Sequence, residues 1–158
     1  MTIHIGFTGS RHQMPIPAKL TLTTTLNDIY AAAIFSSAPI VFHHGDCVNS
    51  DVLAAGIAKA LGFIVHGHPP FDDKLRAFFQ NNVTHAPKNY LDRNHDIVDV
   101  SRILIATPAT EHEVLRSGTW ATIRYARSLN RELCIIYPDG KVRWENVDSP
   151  NERKAPRA

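Results

Sequence analysis

Cysteine is scarce in this chain: Cys47 and Cys134 are the only two among 158 residues, and each sits in or beside an apolar run. That excludes a disulfide framework of the kind that staples small secreted domains, and a reduced, intracellular (cytoplasmic) setting is the expectation. Long apolar runs are also missing. No stretch reaches the roughly 18 residues a membrane span needs, and the opening MTIHIGFTGSR has neither the basic start nor the apolar core of an export signal. Nor does one sign of charge dominate. Seventeen Lys and Arg against fifteen Asp and Glu leave a formal net charge of +2, part of it in the tail from Arg143 to Arg157. Nucleic-acid binding by bulk electrostatics needs a concentrated basic face, and this balance does not supply one.

What is present is the composition of an ordinary globular domain, 44% hydrophobic and 20% charged, in a length that buries its own core without metal or disulfide staples. No internal repeat or linker divides it. Ile3 to Thr8 is a short apolar run broken by Gly9, as in a buried parallel strand. A helical pattern over 18–36 follows Pro15 and Pro17, and Pro39 to His43 gives a second strand, broken at Gly45-Asp46. Ser50 or Asp51 then caps a helix over 52–61 that stops at Gly62.

Phe63 to His66 reads as a third strand, Asp72 to Phe79 as a short amphipathic helix and 81–88 as loop. Over 90–100 the helical spacing puts Arg93, Ile97 and Val100 on one face, which turns Arg93 towards the sheet. RILIA (102–106) is a fourth strand, Ser117 opens a helix running to about Leu129, ELCIIY (132–137) is a fifth strand, and 141–144 adds a short edge strand. Continuous apolar strands alternating with helices predict an α/β class: a single Rossmann-like three-layer domain with a mainly parallel sheet of about five to six strands. It is expected to occupy residues 1–144, with 145–158 a polar, flexible tail.

In such a sheet ligands bind beyond the carboxyl ends of the strands, at the switch in strand order. Three loops stand there. Thr8-Gly9-Ser10-Arg11 offers close backbone approach, hydroxyl and amide donors and a planar guanidinium, a set suited to phosphate. His44 to Asp51 leaves a strand and enters a helix N-terminus, where Gly45, Asp46 and Ser50 are candidate ligand contacts and Asp51 is a cap. Cys47 in the same loop reads as a structural thiol, because no base can be assigned to it. Ser117-Gly118-Thr119 opens the last long helix as a small, donor-rich turn. Each loop alone is an ordinary turn; three on one sheet edge converge.

Histidines invite a metal. His43, His44, His66 and His68 fall near strand ends, but neither HHGDC nor HGH has the paired spacing of a zinc motif, so no metal site is predicted and the rings are expected to be satisfied polar groups.

The segments GFTGSR (6–11), HGDCVNSD (44–51), Arg93-Asn94 within YLDRNHDIV, and SGTWATIRYA (117–126), in this order, resemble the SLOG superfamily. These are Rossmann-like proteins related to DprA (Smf) and to the Lonely-guy "lysine decarboxylase-like" proteins, and a DUF2493-type branch is the nearest match. The resemblance implies a nucleotide-type small molecule held by loops matching Gly9 to Arg11 and Ser117 to Thr119, with Arg93 and Asn94 facing the pocket, no further cofactor, and a homo-oligomer. Hydrolytic members carry a motif similar to PGGxGTxxE. Here Thr122 stands in the place of its Glu, and a hydroxyl cannot serve as acid, base or stabiliser of an oxocarbenium-like centre.

The leading expectation is therefore a binding protein or sensor for a phosphate-bearing nucleotide or nucleotide derivative. The enzyme alternative is an N-glycosidic bond hydrolase or transferase drawing its carboxylate from Asp46, Glu111 or Glu113. A third reading is a DprA-like single-stranded DNA binder using Arg11, Arg93, Arg116, Arg124 and Arg127 with Trp120 and Tyr125, which the near-neutral charge disfavours.

Overall fold

The computed structural model describes residues 1–147. In chain order the elements are β1 (Ile3–Gly9), α1 (Ile16–Ile34), β2 (Ile40–His44), α2 (Ser50–Leu61), β3 (Ile64–Gly67), β4 (Val83–Thr84), α3 (Tyr90–Val100), β5 (Ile103–Thr107), α4 (Gly118–Ser128), β6 (Glu132–Ile136) and β7 (Val142–Glu145). The sheet order is β4-β3-β2-β1-β5-β6-β7, parallel except for the hairpin partner β7. Seven strands stand where five to six were expected. The addition is two-residue β4 inside the predicted loop 81–88; the edge strand expected over 141–144 is antiparallel β7, and the expected tail lies from residue 148 outside the described residues. No described helix is long and apolar enough to cross a membrane.

Strand alternation sorts the core onto two faces. Ile5, Phe7, Ile40, Phe42, Val65, Ile105, Cys134 and Ile136 pack with Leu22, Leu26, Ala54, Ala55 and Ala58 of α1 and α2. Leu104, Ala106, Leu133 and Ile135 point the other way, onto Ile97, Val98, Trp120, Ile123 and Ala126 of α3 and α4. Trp120 and Ile123 are thus core residues, while Leu129 is 40% exposed. Cys134 lies in the first layer, and burial pushes its thiol pKa up to about 12, the behaviour of an inert apolar residue. The helix over 90–100 has the predicted bounds, and Arg93 and Ile97 on it are buried; Val100, assigned to the same face, is 40% exposed at the helix end.

The predicted helix over 72–79 is reduced to one 3-10 turn, Asp73–Leu75. Tertiary bonds to the loop after β2 replace it: Arg76 Nε donates to Asp46 Oδ2 at 3.0 Å, Phe79 N to Asp46 Oδ1 at 2.9 Å, and Ala77 N to the Asp46 carbonyl at 2.8 Å. Val48 N donates to the Leu75 carbonyl at 3.0 Å, and an extended segment pairs Cys47 with Arg76. A fully buried carboxylate demands a cation and donors, and that demand outweighs the weak helical preference of DDKLRAFF.

Candidate ligand site at the switch point

After β1 the chain runs to α1 on one face of the sheet, and after the adjacent β5 it runs to α4 on the other. The loops diverge there and leave a cavity of about 480 Å³, within the range of small-molecule sites, about 300–1,000 Å³. Thr8, Gly9, Ser10 and Arg11 line it from the first loop, Gly45 from the second, Arg93 and Asn94 from α3, and Ser117, Gly118 and Thr119 from the start of α4. The three predicted loops do meet. Cys47, Asp51, Tyr90, His12 and Arg116 line it as well, without having been expected there as ligand contacts.

Two predicted contacts lie elsewhere. Asp46, fully buried, is consumed by Arg76 and the Phe79 amide and does not line the cavity. Ser50 sits beneath the first loop, where its hydroxyl donates to the His12 carbonyl at 3.5 Å. The other two candidate carboxylates are also outside the lining: Glu113 pairs with Arg124 at 3.1 Å, and Glu111 is exposed. Thr122 is buried against its own helix and donates to the Gly118 carbonyl at 2.8 Å.

The donors differ in availability. Ser10 N is committed to the Thr107 carbonyl at 3.2 Å, and Ser10 Oγ accepts from His12 N at 3.0 Å, so this residue shapes the loop. At α4, Ser117 Oγ accepts from Trp120 N at 3.2 Å. That N-cap leaves the amides of Gly118 and Thr119, at the positive end of the helix, without an intrahelical acceptor. A side chain at Gly118 would meet no atom within 4 Å, so the space beside those amides is open.

Arg93 is the structural centre. It is 5% exposed, and its Nη1 donates to the Gly45 carbonyl and, at 3.2 Å, to the His68 carbonyl, with Cys47 Sγ 3.7 Å away. Its Nε is buried with no hydrogen-bond partner. Tyr90 lies under two guanidinium groups, Arg11 at 4.6 Å and Arg93 at 5.3 Å from the ring centroid. Asp51 faces Arg93 across the loop and accepts from Cys47 N at 3.2 Å. The helix begins at Ser50 with Asn49 at its N-cap position and no side-chain cap bond, so neither Ser50 nor Asp51 caps it as expected, and Asp51 instead ties the first turn back to the loop. Burial raises its carboxyl pKa and the Arg93 charge opposes the rise. Burial, then Asp51, raises the Cys47 thiol, which removes the thiolate a nucleophile needs.

Gly45 makes this contact possible. A Cβ there would stand 2.7 Å from Arg93 Cζ and 2.7 Å from Asp51 Oδ2. Gly45→Ala is expected to push both groups aside and to cost about 1–3 kcal/mol by overpacking, read as a lower urea midpoint at unchanged slope.

No family model and no curated protein matches this sequence. Solved structures do. The molybdenum cofactor binding protein of Rippkaea orientalis superposes with a TM-score of 0.60 at 15% identity, over 87% of this chain and 77% of that one. The Moco carrier protein of Chlamydomonas reinhardtii gives 0.56 at 16% identity, over 85% and 76%. DNA processing protein A of Helicobacter pylori, described for its single-stranded DNA binding mode, gives 0.59 at 16% identity, over 84% of this chain and 64% of that protein. The chain has the Rossmann-like fold that DprA and the molybdenum cofactor carriers also have.

Proposed function

We propose that the cavity at the switch point binds a phosphate-bearing nucleotide or nucleotide derivative, such as a nucleoside monophosphate or an ADP-ribose-like or cyclic signal, and that the protein serves as its sensor or carrier. One observation carries this reading: the unpaired amides of Gly118 and Thr119 share a cavity with Arg11, Arg93 and Arg116, against one carboxylate, Asp51, among the described lining residues. An anion is what such a lining complements. The apolar remainder, Phe7, Ile97, Ala109 and Val114, with the Tyr90 ring, suits a base or another flat heterocycle.

Isothermal titration against AMP, ADP-ribose, NAD and cyclic nucleotides tests it. Arg116→Ala is expected to weaken the ligand that binds by about tenfold or more, the worth of a charge-assisted hydrogen bond. Gly118→Ala is the sharper probe. It meets no protein atom, so stability should hold or rise by up to about 1 kcal/mol, while the methyl group intrudes on the anion's space and affinity falls. No response to the panel by folded protein, or unchanged affinity in Gly118→Ala, overturns the reading. Binding of an oligonucleotide instead, with a steep salt dependence, moves the assignment to DNA.

A second reading, cleavage of an N-glycosidic bond, rests on Asp51. It is the lining carboxylate, and its raised pKa suits a general acid. Free base released from a nucleoside monophosphate, and lost in Asp51→Asn, is the outcome it requires; no release excludes it.

A further inference from the structure

A second polar cluster lies outside this cavity. α3 packs over β1 and leaves the same face of β2 and β3 to the chain beyond β3 and β4. Strand alternation brings His4 of β1, His43 of β2 and His66 of β3 onto that face, with His43 and His66 paired directly in register. His68, just past β3, and His85, just past β4, close over them. His43 Nε2 is 2.9 Å from His4 Nδ1, His43 Nδ1 is 3.0 Å from His68 Nε2, and His66 Nδ1 is 3.0 Å from His85 Nε2. The rings of His68 and His85 stack at 4.2 Å between centroids.

We propose that His43, His66 and His85 form a binding site for a borderline divalent metal ion such as Zn²⁺, with His4 and His68 as the outer partners that orient the ligand rings. One ring nitrogen from each of the three lies within 4.8 Å of the other two. Two imidazoles on one tetrahedral zinc stand about 3.4 Å apart, from bonds of about 2.05 Å. The widest separation therefore shortens by at most about 1.4 Å, and the exposed side chain of His85 supplies that rotation. His66 Nδ1 and His85 Nε2, hydrogen-bonded at 3.0 Å, open by about 0.4 Å as a metal replaces that bond.

The surroundings fit a cation. His43 has a second imidazole at each nitrogen; a metal bound at one nitrogen replaces that hydrogen bond, and the bond kept at the other fixes the tautomer and aim of the ring. An open cavity of about 540 Å³ adjoins the cluster and gives an entry path and a solvent-facing fourth position. Its wall includes Asp96 and Asp99, and its one lysine, Lys88, is held by Asp96 at 2.6 Å. Three histidines with an open position is an arrangement that takes zinc, and imidazole also suits Cu²⁺ and Ni²⁺.

The experiment is equilibrium dialysis of chelator-stripped full-length protein against Zn²⁺, with bound metal quantified and Co²⁺ used as a spectroscopic substitute. One equivalent bound at micromolar or tighter affinity is expected, with tetrahedral Co²⁺ absorption and no thiolate charge-transfer band, which separates this site from capture by Cys47. His66→Ala and His85→Ala, at sites not fully buried, should each weaken binding by at least about tenfold, with circular dichroism unchanged; His112→Ala, an exposed histidine elsewhere, should not. No uptake by folded wild-type protein, or equal uptake by the His66→Ala/His85→Ala double variant, overturns the proposal and leaves the rings as a hydrogen-bonded cluster. Nucleotide takes no part in the measurement, so its outcome is independent of the reading of the first cavity.

Discussion

Arg93→Ala is expected to cost about 3–5 kcal/mol, the scale for removing one partner from a buried charged network, and to lower the thermal midpoint by roughly 10 °C in a chain of this size. The cost has three parts. The Gly45 and His68 carbonyls lose their shared donor, a cavity opens between α3 and the loop after β2, and Asp51 keeps its burial without the charge that offsets it. The last part has a sign. Without Arg93 the Asp51 carboxyl pKa rises further above its unfolded value of about 3.9. A carboxyl that holds its proton more tightly when folded stabilises below the unfolded pKa and loses that stability as pH rises through the folded pKa. Relative to wild type, Arg93→Ala should therefore be worse at pH 8 than at pH 5, and Arg93→Ala/Asp51→Asn should remove the difference. Urea unfolding at the two pH values reads both effects; a deficit independent of pH would show that Asp51 does not depend on Arg93.

Arg93 also shows what was legible in the sequence and why. Its place is set by local periodicity, with Ile97 one turn further along α3 on the same buried face, and the three loops by short-range marks: an apolar run, then small residues, then a helix start. Such marks depend on neighbours in the chain. Asp46 failed for the opposite reason. It sits in the predicted loop, but its partners are Arg76 and Phe79, thirty residues on, and no pattern within the loop announces that the carboxylate turns away from the cavity. Tyr90 was likewise missed as a platform for Arg11, since the two meet only through the fold.

The histidines fall between these cases. A search by motif spacing grouped His43 with His44, yet adjacent strand residues point to opposite faces: His44 meets Asn81 and Phe79 on the α2 side, while His43 joins the cluster. Parity along β1, β2 and β3 selects His4, His43 and His66 once the strand order is known. The order itself, and the arrival of His85 through two-residue β4, came only with the structure.

That cluster yields the second large effect. In buffer containing a chelator, the metal-free protein is expected to lose stability steeply below about pH 6.5, the unfolded histidine value. Burial, with repulsion among the neighbouring rings, sets the pKa of His43 at about 2 and that of His68 at about 3 in the fold. Between the folded and unfolded values each ring binds a proton only when the chain unfolds, so their stabilisation is complete above about pH 6.5 and falls away as pH drops towards the folded values. Each group contributes up to about 1.4 kcal/mol per pH unit. Two of them remove about 5 kcal/mol by about pH 4.5, comparable to the whole stability of many domains. Urea midpoints at pH 7, 6 and 5 should decline accordingly. His43→Gln/His68→Gln, destabilised at pH 7 by its altered packing, should show a much flatter decline. The same slope in that variant would assign the acid sensitivity to other groups, and a wild-type midpoint level from pH 7 to 5 would mean that these rings are not held neutral by the fold.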